Sequence, residues 1–208
     1  MQIFRWHPSL KPGMLGPLVG RTPLHLHQSD LDGACGHHCT LMALMILGVL
    51  KRTDLGGLPR ARSKSLSNMW RMTATNYFVG ATASDLQYML AHYETVIETR
   101  IRRRNQVARI LEILGESGVA IVGIQNAYLN HWVLAAGIGG FESAGDFCPS
   151  CLLILDPGHG PLALAAWNAT LGVKPDRHDR HLYQTTERRM RVRIESIVTI
   201  RRRDSARR

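Results

Sequence analysis

Residues 35–50 constrain the fold of this chain more than any other stretch. Cys39, Met42, Ala43, Ile46 and Leu50 recur at three- and four-residue steps, the spacing of one helical face. Leu41, Leu44, Leu47 and Val49 make the remaining faces apolar as well, so the sequence predicts a helix buried nearly all round. The longest apolar run within it, residues 41–50, is about half of what a membrane span needs, so this helix belongs in a protein core. With 208 residues, 45% hydrophobic and 20% charged, the chain can build one sizeable core and has no room for a second large domain. Collagen, coiled coil and wholesale disorder are excluded by the same composition.

Away from this helix the periodicity changes along the chain. Residues 1–27 carry Pro, Gly and His without a period and read as an irregular lead-in. Residues 51–64 form a polar connection broken by Gly and Pro, and 65–78 leave space for one short helix. Ser84, with Gln87 three residues on, has the capping-box pattern, and Leu86, Met89, Leu90 and Tyr93 then line one helical face. A second amphipathic helix is expected over 105–114, with Val107, Ile110, Leu111 and Leu114 inward and Gly115 at its end. Between the two, 96–101 reads as a strand. Beyond Gly115 the short apolar runs 119–124, 132–138 and 152–155, bounded by Gly, Asn, Asp and Pro, predict sheet strands. Met190, Val192, Ile194, Val198 and Ile200 alternate with Arg189, Arg191, Arg193, Glu195 and Thr199, which predicts a half-buried strand with a cationic outer face. Helices first and strands later point to α+β architecture. The expected divisions are an irregular segment 1–23, a domain 24–200 and a basic tail 201–208.

Twenty-six Lys and Arg against sixteen Asp and Glu give a net charge of +10, which draws polyanions, acidic partners or anionic surfaces. The arginines cluster at 102–104, at 188, 189, 191 and 193, and at 201–203. Such clusters are commonly solvated faces. The functional reading is an acidic partner at the basic face; nucleic acid is disfavoured, because no aromatic interleaving or binding motif accompanies the arginines. The first twenty residues are broken by three prolines and hold no apolar run of signal-peptide length, so a cytoplasmic location is expected, with delivery as an effector left open. The cysteines fall in two close pairs, Cys35/Cys39 and Cys148/Cys151, unlike the dispersed framework of a disulfide scaffold.

Cys35 opens the apolar helix. There, unpaired backbone N–H groups and the positive end of the dipole favour a thiolate, the nucleophilic form; Asp30 and Asp32 just upstream oppose this, so a histidine partner is needed. His131 begins an apolar strand, where the sheet holds an imidazole near its rim. Asp156 follows the next strand, where a carboxylate can accept Nδ1–H from His131 and fix its tautomer. Gln28 can offer a side-chain N–H to an oxyanion together with the Cys35 backbone N–H.

Gln28, Ala34-Cys35-Gly36 leading into an apolar helix, His131-Trp132-Val133 and Leu155-Asp156-Pro157-Gly158 stand in an order that resembles the bacteriocin-leader-processing (double-glycine, peptidase C39-like) cysteine peptidases. The resemblance covers residues 24 to 172. It implies a papain-like fold, with the nucleophile-bearing N-terminal helix packed on an antiparallel sheet. It also implies a thiolate–imidazolium pair of Cys35 and His131, Asp156 orienting the histidine, Gln28 in the oxyanion hole, a peptide or protein substrate and no cofactor. Departures are His37, His38 and Cys39, where the family usually has small or apolar residues, and a His131–Asp156 connection lengthened by residues 141–151. Members are usually fused to a transporter, whereas this sequence shows neither a membrane span nor a nucleotide-binding motif, so a free-standing enzyme is expected.

Three other readings stand beside a peptidase. Cys35, Cys39, Cys148 and Cys151 have spacing that four-thiolate zinc coordination can use, which describes a zinc-stabilised binding module. An inactive adaptor would use only the basic face. A deamidase or acyltransferase would use the same triad. Of the neighbouring residues, Cys39 reads as core, His37 and His38 as solvent- or cleft-facing, His159 as a loop residue and spare histidine, and Cys148/Cys151 as a loop entering a strand.

Overall fold

A computed structural model describes residues 1–29, 32–56 and 63–203, except the side chain of Met72; residues 30 and 31, residues 57–62 of the polar connection and residues 204–208 of the basic tail lie outside the described residues. Helix α1 (Cys35–Ile46) is buried on every face, with only His38 half-buried, as its composition requires. It stops where Gly48 takes a left-handed φ of 67°, a conformation that costs glycine little. Helix α2 (Lys64–Thr73) is capped by the Ser63 hydroxyl. Helix α3 (Ala83–Ala91) starts two residues before the expected box: Thr82 and Asp85, not Ser84 and Gln87, satisfy each other's backbone N–H groups. Helix α4 (Gln106–Gly115) buries only Ile110 fully.

The strands are β1 (Gln2–Trp6), β2 (Leu10–Lys11), β3 (Leu18–Val19), β4 (Thr22–Pro23), β5 (Ile97–Arg102), β6 (Val119–Gln125), β7 (Asn130–Ser143), β8 (Asp146–Leu155), β9 (Ala169–Gly172), β10 (His181–Gln184) and β11 (Arg189–Arg202). β2, β3 and β4 form a small separate sheet. In the main sheet the order β7-β6-β11-β10-β9-β8 is antiparallel throughout, and β8 pairs back onto β7, closing a six-stranded barrel. β1 extends the edge of β7 that β6 occupies, and β5 lies along β11.

The expected papain-like α+β arrangement of a helix on an antiparallel sheet is therefore corrected: the protein is a mostly-sheet closed barrel, 24% helical. The reason lies in the longest strands. Residues 139 and 140, read from sequence as a strand boundary, continue β7 to fourteen residues, with register shifts at Ala135/Gly137 and Gly139/Gly140. Bulges of this kind bend and twist a strand. A Cβ at Gly137 would lie 2.7 Å from the Arg5 carbonyl oxygen, and one at Gly140 2.4 Å from that of Cys148. The glycines let β1 and β8 close on opposite edges of β7. β11 carries its own shift between Ile194 and Ser196, and the sheet curls shut. The segment expected to be irregular, 1–23, supplies β1; its half-buried Ile3 and Trp6 are too sparse to reveal a period.

Two cores follow from strand alternation. Ala120, Val122 and Ile124 of β6 point inward with Val133, Ile154, Leu171, Tyr183 and Val192, a cluster drawing on all six barrel strands. Val119 and Ile121 point outward with Trp132 and Leu134, under α1 and α3. Trp132 is clamped: a Cβ on Gly36 of α1 would be 3.2 Å from its ring, and one on Gly123 of β6 2.9 Å. Its indole N–H donates to the Ala81 carbonyl at 2.7 Å. Gly123→Ala is expected to lower stability by about 1–3 kcal/mol through overpacking, read as a lower urea midpoint; an unchanged midpoint would show that the ring can yield.

Candidate active site

His131 is the second residue of β7, paired with inward-facing Ile124, so its ring stands at one mouth of the barrel. Asp156 follows β8 at the same mouth and is 1% exposed. The two meet at 2.6 Å, between Nε2 of His131 and Oδ1 of Asp156. The sequence reading had the carboxylate on Nδ1; the ring is instead turned so that Nε2 takes that role and Nδ1 is left for a partner on its other side. Cys35, 7% exposed at the start of α1, lies near enough to His131 to raise its pKa, while its thiol donates to the Gly33 carbonyl at 3.9 Å.

The buried carboxylate is held from several directions. The Gly158 backbone N–H donates to Oδ1 at 2.7 Å, and the Tyr183 hydroxyl, from inside the barrel, donates to Oδ2. Asn168 fixes the backbone: its Oδ1 accepts from the Asp156 N–H at 2.7 Å, and its Nδ2 donates to the carbonyls of Asp156, His159 and Gly160. Burial alone would raise the Asp156 pKa, but hydrogen bonding and charge from His131, with the bonds from Tyr183 and Gly158, hold it below the ordinary carboxylate range. Burial alone would lower the His131 pKa; its hydrogen bond to Asp156 and the nearness of Cys35, and their charges, outweigh this and raise it to about 10. The ring is therefore stabilised as a cation between a carboxylate and a sulfur.

Gln28 reaches the same region. Its backbone N–H donates to the Pro157 carbonyl at 2.8 Å, tying it to the Asp156 loop. One side-chain N–H is committed to the Asp32 carbonyl at 2.5 Å, so Gln28 also braces the turn into α1. The Asp32 carboxylate is turned into that turn, accepting from Ser29 and from the Ala34 N–H. Burial would raise its pKa, but these bonds bring it below the ordinary value. The N-cap residue Ala34 gives no side-chain cap, so no capping side chain occupies the first-turn N–H groups beside Cys35.

The remaining predicted residues separate clearly. Cys39 is core, its thiol 3.4 Å from the Trp132 carbonyl, and burial pushes its pKa well up. His37, expected at solvent or cleft, is instead 2% exposed and bonded to the Thr73 carbonyl at 3.1 Å. With half-buried His38 it lines an apolar cavity of about 160 Å³ between Leu26, Leu41, Trp70 and Tyr77. His159 lies 3.9 Å from Asp156 and 3.8 Å from Glu187, outside the position that His131 holds. Cys148 and Cys151 sit on β8, and among the described residues no group of three His, Cys, Asp or Glu side chains is placed to hold a metal. The four-cysteine zinc site is thus not assembled.

Tyr183 and Asn168 carry no sequence signal that links them to the site, and Gly158 stands there only as part of the Asp156 motif. β10 is only four residues long, too short for a period to mark Tyr183, and nothing local marks its partner. A Cβ at Gly158 would lie 3.2 Å from Asp156 Oδ1 and 3.3 Å from His131 Nε2, so a side chain there has to push the pair by a few tenths of an ångström.

The raised His131 pKa gives a signed pH effect. A group whose folded pKa exceeds its unfolded one contributes stability below about pH 6.5 that is lost as pH climbs through about 10. The urea midpoint of the wild type, relative to His131→Gln, is expected to fall across that window; parallel profiles would show that the ring is not held as a cation. Neither the protein-family models nor the curated proteins compared with this chain give a match to it.

Proposed function

We propose that the protein is a cysteine peptidase in which Cys35, His131 and Asp156 form the catalytic triad. The single observation that carries this is the His131 ring, bonded through Nε2 to a buried carboxylate at 2.6 Å and facing, on its other side, a cysteine at a helix N-terminus. A purely structural histidine would not need a sulfur there. The ordered resemblance of Gln28, Cys35, His131 and Asp156 to the leader-processing peptidases supports the same chemistry.

In this reading the Cys35 proton resides on His131, and the sulfur attacks the peptide carbonyl, forming a C–S bond. The tetrahedral oxyanion is met by the backbone N–H of Cys35, with Gln28 beside it. Collapse breaks the C–N bond as His131 passes its proton to the leaving amine. Water then attacks the thioester, giving its proton to His131, and the C–S bond breaks to release the acid and restore the pair. Asp156 holds the ring through both steps, and Tyr183 and Asn168 are positioning residues for Asp156. A deamidase or acyltransferase would share the thioester and differ in product mass. No helix among the described residues is long and apolar enough to cross a membrane; a reducing cytoplasm, where all four cysteines stay as the free thiols seen here, suits the reading.

Residue-resolved mass spectrometry with a small thiol electrophile, in mildly acidic buffer where ordinary thiols are protonated, tests the assignment. Cys35 is expected to react first, ahead of exposed Cys148, with no reaction at Cys39. His131→Ala is expected to slow reaction at Cys35 and to cut peptide turnover by about 10²- to 10⁴-fold. Reaction led by Cys148, or unaffected by His131→Ala, would refute the pair. Gly158→Ala is expected to lower kcat more than it lowers the melting temperature, because its methyl presses on the His131–Asp156 contact; equal activity would show that the pair tolerates displacement.

A further inference from the structure

Two of the arginine-rich regions differ in how their cations are paired. Around β5 and the end of β11 several cations are used internally, while Arg102, Arg103 and Arg104 have no carboxylate partner among the described residues. Arg201 pairs with Glu98 and Glu116 at 2.7 Å each, Arg100 with Glu98 at 2.5 Å, and Arg109 with Glu112 at 2.5 Å. Arg202 and Arg203 donate to the carbonyls of Leu47, Glu94 and Ile97. On the β10–β11 hairpin only Arg180 has a carboxylate partner, Asp176 at 3.1 Å; among the described residues Arg188, Arg189, Arg191 and Arg193 have none, and Arg193 makes one long bond, to the His178 carbonyl at 3.5 Å. Their charge is available to something outside the chain.

Arg180, Arg191 and Arg193 face an open groove of about 540 Å³ with Gln125, Asn126 and Tyr128, the last 99% exposed. The register fixes where this groove lies. Arg193 stands opposite Gln125, which stands opposite Asn130, so the three share one row and one face of the sheet. Asn130 precedes His131. Two residues farther along the same face is Trp132, against the first turn of α1 that carries Cys35. With strands ~4.8 Å apart, Arg193 is two strands, about 10 Å, from the start of the histidine strand. An extended peptide covers that distance in about three residues.

Resting on the peptidase reading, we propose that Arg191 and Arg193 are specificity-determining residues that select substrates with an acidic side chain a few positions from the scissile bond. Guanidinium groups on a rim hold a carboxylate through charge-assisted hydrogen bonds, and Tyr128 walls the groove at its outer end. The groove is short and has one aromatic side chain, which suits a peptide carboxylate better than the repeated stacking platform that single-stranded nucleic acid uses.

The test digests a proteome-derived peptide library with the full chain and sequences the cleavage windows by mass spectrometry. Wild type is expected to show Asp and Glu enriched about fivefold or more within about four residues of the cut. Arg191→Glu with Arg193→Glu is expected to invert the preference toward Lys and Arg, an outcome only a folded, active variant can give. If the charge-reversed chain is inactive, Arg191→Gln with Arg193→Gln decides, and is expected to lose the acidic preference. Cleavage by wild type with a flat profile, or an acidic preference kept by the variant that decides, overturns the inference and leaves the peptidase standing. No cleavage, with Cys35 inert to the electrophile, overturns both. A short single-stranded oligodeoxynucleotide bound by wild type, released by the double variant and accompanied by a flat cleavage profile, assigns the groove to nucleic acid and overturns the proposal.

Discussion

The clamp on Trp132 sets the relation between the two halves of the site. Cys35 belongs to a helix and His131 to a barrel strand, and nothing in the chain between them forces the two into register. The indole does so by filling the space between Gly36 and Gly123, with its N–H on the Ala81 carbonyl and its own carbonyl receiving the Cys39 thiol. Packed interiors resist even small volume changes. The placing of Cys35 beside the His131 strand therefore depends on the seating of this aromatic ring, and Cys39, one turn after Cys35, bonds to the same residue.

A second layer of order surrounds the carboxylate. An isolated buried charge is costly, and Asp156 avoids that cost by accepting from His131, Tyr183 and the Gly158 N–H while Asn168 fixes the adjoining backbone. These donors come from different strands and loops, so the barrel's closure and the site's electrostatics are one arrangement. Tyr183 can reach the mouth only because β10 is wound into the same closed ring as β7 and β8.

How much of this was legible in the sequence depended on the range of the information. The all-round apolar pattern of α1 and the strand cores of β6 and β11 are local signals, and the structure places each where the pattern put it; Cys35, His131 and Asp156 were likewise marked by local signals. Capping at α3 slipped by two residues because Thr82/Asp85 and Ser84/Gln87 offer overlapping pairs, and only packing chooses between them. Barrel closure was not legible: it depends on bulges and on a glycine run that reads locally as a stop. Tyr183 and Asn168 were invisible for a similar reason, since their partners lie 27 and 12 residues away along the chain. His37 looked polar and therefore accessible; a carbonyl acceptor on α2 made its burial possible.

One feature of the barrel bears on handling the protein. Beyond the end of β6, the edge of β7 is covered only by the five residues of β1, Gln2 paired with Phe141 through Trp6 with Gly137. Peeling that short strand away, by a poorly placed fusion partner or by trimming, would lay bare a row of glycine-rich backbone donors and acceptors with no bulky side chains to fend off a neighbour. A ring with few open seams would then acquire one, along which copies of the chain could zip together.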